Sequence, residues 1–148
     1  MTNAHPPRIA EAAKLPQIAC MPVQLNHTIV HALDPSSAAT FLSEILGLPA
    51  PRRFGPFWVV ETANGVSLDY GHADGPLTTA HYAFLISEPE FDAIFGRIRE
   101  RMLEYWADPF GYQPGEINHN DGGRGVYFRD PSGHYLEIIT RPYGSGAP

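Results

Sequence analysis

Cysteine is almost missing from this chain of 148 residues, with Cys20 the single example. An intramolecular disulfide needs two cysteines and a cysteine zinc site needs more. The fold therefore does not depend on covalent staples, and a cytoplasmic setting is expected. Long hydrophobic runs are missing as well. The longest reach five to seven residues, as in His81-Tyr82-Ala83-Phe84-Leu85-Ile86, far below the roughly 20 needed to cross a bilayer. Residues 1–22 lack the apolar centre of a secretory signal, so no membrane partner is expected. Basic charge is scarce: 10 Lys and Arg against 16 Asp and Glu leave a net charge of -6. Such a field repels phosphate backbones, which argues against a nucleic-acid partner. The one basic cluster, Arg97, Arg99 and Arg101, alternates with Ile98, Glu100 and Met102 and reads as the solvated face of an amphipathic helix.

What is present is a 43% hydrophobic composition, enough for one domain's core, together with 14 glycines, 15 prolines and seven histidines. Abundant turn formers suggest a β-containing domain, and the histidines suggest a metal. Self-similarity is the most informative feature. The segment opening at Asn26-His27 recurs at Ala80-His81, displaced by 54 residues. Each copy starts with an apolar strand, Leu25 to Ala32 and His81 to Ile86, headed by the histidine. Seven residues after each histidine stands an acid followed by proline, Asp34-Pro35 and Glu88-Pro89.

Each strand thus runs into a helix. In the first copy Asp34 caps it, Ala38, Phe41, Leu42, Ile45 and Leu46 line one face, and Gly47 ends it. In the second, Ser87 and Glu90 have capping-box spacing, and Phe91, Ile94, Phe95, Ile98 and Met102 form the stripe. Hairpins follow: Phe57 to Glu61 with Val66 to Tyr70 across Asn64-Gly65, and Gly125 to Arg129 with Tyr135 to Thr140 across Asp130-Pro131-Ser132-Gly133. The expectation is one α+β domain at 23–141, made of modules at about 23–76 and 77–141, with tails at 1–22 and 142–148. Neither half buries enough surface to fold alone, and a crevice between two curved sheets is a natural small-molecule site.

Three residues occupy matching or strand-paired places: His27, His81 and Glu137, at spacings of 54 and 56. A pseudo-twofold pairing of the leading strands would bring the two histidines face to face with the carboxylate beside one of them. Two imidazoles and a carboxylate suit Fe(II) or Mn(II) and leave coordination positions open. The alternative is two ordinary half-buried strand histidines and a paired strand acid. Against it, a carboxylate in the strand Tyr-Leu-Glu-Ile-Ile costs several kcal/mol to bury without a cation or hydrogen bonds. His31 and His134 read as structural, and His72 as lying past a strand end.

The elements Leu25-Asn26-His27, Ala80-His81-Tyr82-Ala83-Phe84 and Tyr127-Phe128-x-Asp130-Pro131-x-Gly133-His134-x-Leu136-Glu137 resemble the vicinal oxygen chelate superfamily. That group includes glyoxalase I, extradiol dioxygenases, fosfomycin-resistance transferases, an epimerase and metal-free bleomycin-binding proteins. The resemblance spans residues 24–140. It implies paired βαβββ modules forming a curved mixed sheet, a metal held by His27, His81 and Glu137, and a homodimer.

Within the superfamily, Ile117-x-His119, then Val126-Tyr127, Asp130-Pro131-x-Gly133 and Glu137 resemble the extradiol dioxygenase signature. This implies Fe(II) or Mn(II), a catechol-like substrate, and catalytic roles for His119 and Tyr127 as hydrogen-bonding partners of oxygen or substrate. The usual extra histidine on the first hairpin is replaced here by Gly65-Val66-Ser67. Asp69 carries the competing reading, since it lies four residues past Gly65 as Glu137 lies past Gly133. As a fourth ligand it would imply glyoxalase-like proton transfer with Zn(II) or Ni(II). The fosfomycin subgroup shares Tyr127 but has threonine where this chain has Ile29. A metal-free antibiotic-binding module is the non-enzyme alternative, with Phe57, Trp58, Tyr82 and Trp106 as its aromatic surface.

Overall fold

The computed structural model describes residues 22–146. The first module comprises β1 (His27–Ala32), α1 (Pro35–Leu46), β2 (Arg52–Phe54), β3 (Phe57–Glu61) and β4 (Ser67–His72). The second comprises β5 (His81–Leu85), α2 (Glu88–Glu100), β6 (Tyr105–Trp106), β7 (Gly125–Arg129) and β8 (Tyr135–Ile139). Each is a βαβββ unit with its own four-stranded mixed sheet, ordered β1-β4-β3-β2 and β5-β8-β7-β6. In both, the leading strand pairs in parallel with the last, and the remaining pairs are antiparallel. The architecture is α+β, as the repeat implies. The N-terminal segment and Cys20 lie outside the described residues.

The helix signals act where the sequence puts them. Asp34 accepts the Ser37 N–H at 3.0 Å, and Gly47 closes α1 at φ 72°. This left-handed conformation is one that glycine adopts without steric cost. Ser87 and Glu90 form a reciprocal capping box on α2. One expectation fails at the other end of α2. The helix stops at Glu100, and Met102, expected on the apolar stripe, turns out at φ 54° with 89% of its surface exposed. Leu103 follows it inward and packs on the core instead.

Each sheet buries one face, and both helices pack there. Val30, Leu42, Ile45 and Tyr70 from the first module join Phe91, Ile98, Phe128, Leu136 and Ile138 from the second in one core. The arginine cluster is not simply a solvated face. Arg97 Nε donates to the Ile45 carbonyl at 2.7 Å, and Arg101 pairs with Glu44 at 2.7 Å, so two of the three arginines tie α2 to α1. Arg124 clamps α2 from the sheet side through Glu88 and Asp92 while lying 4.3 Å above the Phe91 ring. His134 is the buried joint between modules. Its Nε2 donates to the His31 carbonyl at 2.7 Å, and its Nδ1 accepts the Ala80 N–H at 2.9 Å. His72, expected past the strand, is the last residue of β4.

The modules dock through the faces that carry their helices. The opposite face of each sheet remains open, and each open face bears one of the repeat's leading histidines. Among the described residues no helix is long and apolar enough to cross a membrane. Phe91 has no exposed surface and lies in the shared core beneath the Arg124 guanidinium. Phe91→Ala is expected to cost about 3–5 kcal/mol, measured as a lower urea midpoint with an unchanged slope.

Candidate metal site

Glu137 has no exposed surface and sits at the middle of β8 between Leu136 and Ile138, which point into the core on the opposite face. A buried ionised carboxylate is costly unless cations or hydrogen bonds meet it. Two groups do. His81 Nε2 lies 3.0 Å from Oε2, and the Tyr143 hydroxyl donates to Oε1. Because Tyr143 spends its proton on the carboxylate, Tyr127 donates to the Tyr143 oxygen, at 2.7 Å. Burial, reinforced by this chain of bonds, pushes the Tyr127 phenol well above its ordinary pKa, and burial likewise raises Tyr143. Both remain proton-bearing donors at neutral pH. The Tyr127 ring stacks on the His81 imidazole with centroids 5.8 Å apart.

Strand register explains the gathering. Trp106, Tyr127, Glu137 and Ala83 stand opposite one another across the four strands of the second sheet. Arg129, Tyr135 and His81 form the adjacent row on the same face. A one-residue slip of β8 would turn Glu137 into the core and Leu136 or Ile138 onto the open face.

His27 stands elsewhere. It lies on the open face of the first sheet opposite Ser67, with Ile29 opposite Asp69 in the next row. His27, Asp69, Arg52 and Phe54 border an open cavity of about 340 Å³. The His27 ring is exposed, with Nδ1 2.8 Å from the Asn26 amide oxygen. Asp69 is half-buried and accepts the Ser67 hydroxyl at 2.9 Å. Among the described residues, no three His, Cys, Asp or Glu side chains of one chain cluster closely enough to hold an ion. The expected face-to-face approach of the two histidines is therefore not made within a single chain. His81 lines a cavity of about 530 Å³ shared with Leu25, Thr28 and the Thr62–Asn64 turn of the first module, whereas His27 borders the separate one beside Asp69.

His119 is exposed at the start of the 3-10 turn Asn120–Gly122, and its ring makes no hydrogen bond to the groups around Glu137. Its turn matters in another way. The Asp121 carboxylate accepts the Gly144 and Gly146 N–H groups at 3.1 and 3.0 Å, pinning the segment that carries Tyr143. Tyr143 escaped the sequence reading because it falls in the short Gly/Pro tail. The available signal was a single aromatic among small residues, six positions after Glu137.

The donor chemistry fits a divalent ion of intermediate hardness. It offers a carboxylate in need of a cation and an imidazole nitrogen beside it, both on an open face. Glu137 and His81 would hold such an ion from this sheet, and His27, with or without Asp69, from the other.

No family model matches the chain. The solved structure of the oxidase ChaP-H2 is 64% identical, covers 86% of this chain and 100% of its own, and superposes with a TM-score of 0.83. Among curated proteins, glutathione transferase FosA of Serratia marcescens is 26% identical over 122 residues, 77% of this chain and 78% of that protein. Metallothiol transferase FosB of Shouchella clausii is 28% identical over 122 residues, 78% of this chain and 79% of that protein.

Partners that orient a metal-binding carboxylate typically contribute 10–100-fold to affinity. Tyr143→Phe, which removes the hydroxyl on Oε1, is expected to weaken Mn(II) binding by about tenfold while leaving the far-UV spectrum unchanged. Isothermal titration of wild type and variant with Mn(II) checks this.

Proposed function

The chain belongs to the vicinal oxygen chelate superfamily, and within it we propose that the protein is a divalent-metal oxidase of the extradiol type, opening the ring of a catechol-like aromatic. The observation that carries this reading is the fully buried Glu137 carboxylate beside the His81 imidazole at 3.0 Å, with two phenolic donors on the same face. The strong likeness to a protein named an oxidase favours oxygen chemistry over thiol transfer. Fe(II) or Mn(II) suits two imidazoles and one carboxylate, and when bound it supplies open positions for a chelated diol and dioxygen. Tyr127 and Tyr143 keep their protons near neutral pH and use them to brace Glu137. Tyr127 is assigned a hydrogen bond to substrate that requires its hydroxyl to turn away from Tyr143. His119 is assigned a proton-transfer role that requires its exposed loop to fold inward over the substrate.

The functional unit takes residues 23–141 and Tyr143 from the segment beyond, and it works as a homodimer. The two open faces of one chain carry complementary parts of the site and large exposed apolar side chains: Ile29 at 47%, Phe54 at 65% and Leu85 at 62%. Packing the first sheet of one copy over the second sheet of another covers these side chains. It also brings the partner's His27 toward His81 and Glu137. A second reading rests on Asp69, half-buried on the face that carries His27. If it ligates, four ligands favour glyoxalase-like isomerisation with Zn(II) or Ni(II).

Two experiments test the reading. His27→Ala and His81→Ala homodimers are each expected to lose Mn(II). Mixing them equally under exchange conditions restores about one quarter of the sites, because each heterodimer regains one intact site. No recovery would place the whole ligand set in one chain. Separately, protein reconstituted with Fe(II) without air and then exposed to it is expected to turn catechols into yellow ring-opened products. An inert panel, together with isomerisation of a glutathione hemithioacetal by the Ni(II) protein, would decide for the Asp69 reading.

A further inference from the structure

The open face of the second sheet holds a cation that the proposed chemistry does not use. Arg129 is exposed in the row that contains His81, with Tyr135 between them, so its backbone lies two strands away from the ligand, about 10 Å. Its guanidinium sits 4.6 Å from the Tyr135 ring centroid and 5.6 Å from that of Trp106. Both rings lie within cation–π reach of the group, whose five N–H donors are its means of hydrogen bonding. Among the described residues, one of those donors is used, by the Tyr135 hydroxyl, and no carboxylate pairs with the group. On the second sheet and its helix the other arginines with side-chain partners differ: Arg101 and Arg124 are neutralised by acids and Arg97 donates to a carbonyl. Arg52, which like Arg129 has no acid in a salt bridge with it among the described residues, stands on the first sheet's face beside His27.

Resting on the proposed function, we infer that Arg129 is the anion-recognising residue of this site. Its substrate is a planar aromatic diol that carries a carboxylate or similar fixed anion at the end opposite the chelated oxygens. The span from His81 to Arg129 matches a fused two- or three-ring system rather than a lone catechol. Tyr135 lies between them, Tyr127 flanks the path in the adjacent row, and Trp106 stands beyond Arg129 on the edge strand. The two flanking rings hold the guanidinium in place before substrate arrives, which lowers the ordering cost of binding.

The test uses the full-length protein loaded with Mn(II), without air, and two probes that differ by one charge: 2,3-dihydroxynaphthalene and its 6-sulfonate. Both affinities are read by quenching of intrinsic fluorescence. Wild type is expected to favour the sulfonate by about tenfold or more, and the preference should shrink as salt is raised. Arg129→Gln should abolish the preference, and Arg129→Lys should retain part of it. An equal affinity of wild type for the two probes, or a preference that survives Arg129→Gln, overturns the inference with the catechol reading intact. A variant that loosens the dimer without altering the preference overturns it too, by giving the guanidinium to the subunit contact. If neither diol binds the loaded protein, the catechol reading fails and the inference falls with it.

Discussion

A carboxylate without exposed surface, on a strand whose neighbours are leucine and isoleucine, sets the terms for the second half of this molecule. Glu137 needs donors or a cation, and two groups meet it. His81 comes from the parallel strand beside it and Tyr143 from the turn that follows, while Tyr127, from the antiparallel strand on the other side, braces Tyr143. The alternation of the strand lets one residue face these groups while the next two complete the core. The same alternation aligns Arg129, Tyr135 and His81 in a neighbouring row, so one ladder register orders both the proposed metal end and the cationic end of the face.

The second constraint is how two small modules bury their surface. Each has one helix and four short strands, too little for an independent core. They solve this by merging helix-bearing faces, with Arg97 and Arg101 joining the helices and His134 bridging β1 to β5. The consequence is functional. Both histidine-bearing faces are left open, and the apolar side chains on them remain exposed. A second copy laid across these faces would bury them and complete a ligand set divided between sheets. Docking geometry and the proposed chemistry therefore depend on each other, since a chain that closed its own crevice would have no need of a partner.

Legibility followed the range of the interaction. The Asp34 cap, the Ser87–Glu90 box and the Gly47 stop were readable because each depends on residues three or four apart, and the 54-residue repeat was readable because the same local signals recur at a constant displacement. The hairpins at Asn64-Gly65 and Ser132-Gly133 were readable from turn chemistry. The short strands β2 and β6 carry too few residues for a period to emerge, and they exist because β3 and β7 offer open edges. The arginine cluster has a helical period whether it meets water or a neighbouring helix, so the ties to Ile45 and Glu44 had no sequence signature. Tyr143 and Arg129 depend on what lies across the sheet or beyond a turn.

The sequence by itself determined the duplicated βαβββ plan, the burial of a carboxylate at position 137 and the presence of His81 at the head of its strand, because these rest on local periodicity and on spacing between copies. Only the tertiary structure decided that His81 and Glu137 meet while His27 stands apart, that Tyr143 reaches the carboxylate, and that Arg129 lies on the same face without an acidic partner. Those outcomes depend on which faces the two modules bury together. That choice is made by the summed packing of side chains more than 50 positions apart, such as Arg97 on Ile45 and His134 on His31, and no local pattern encodes it.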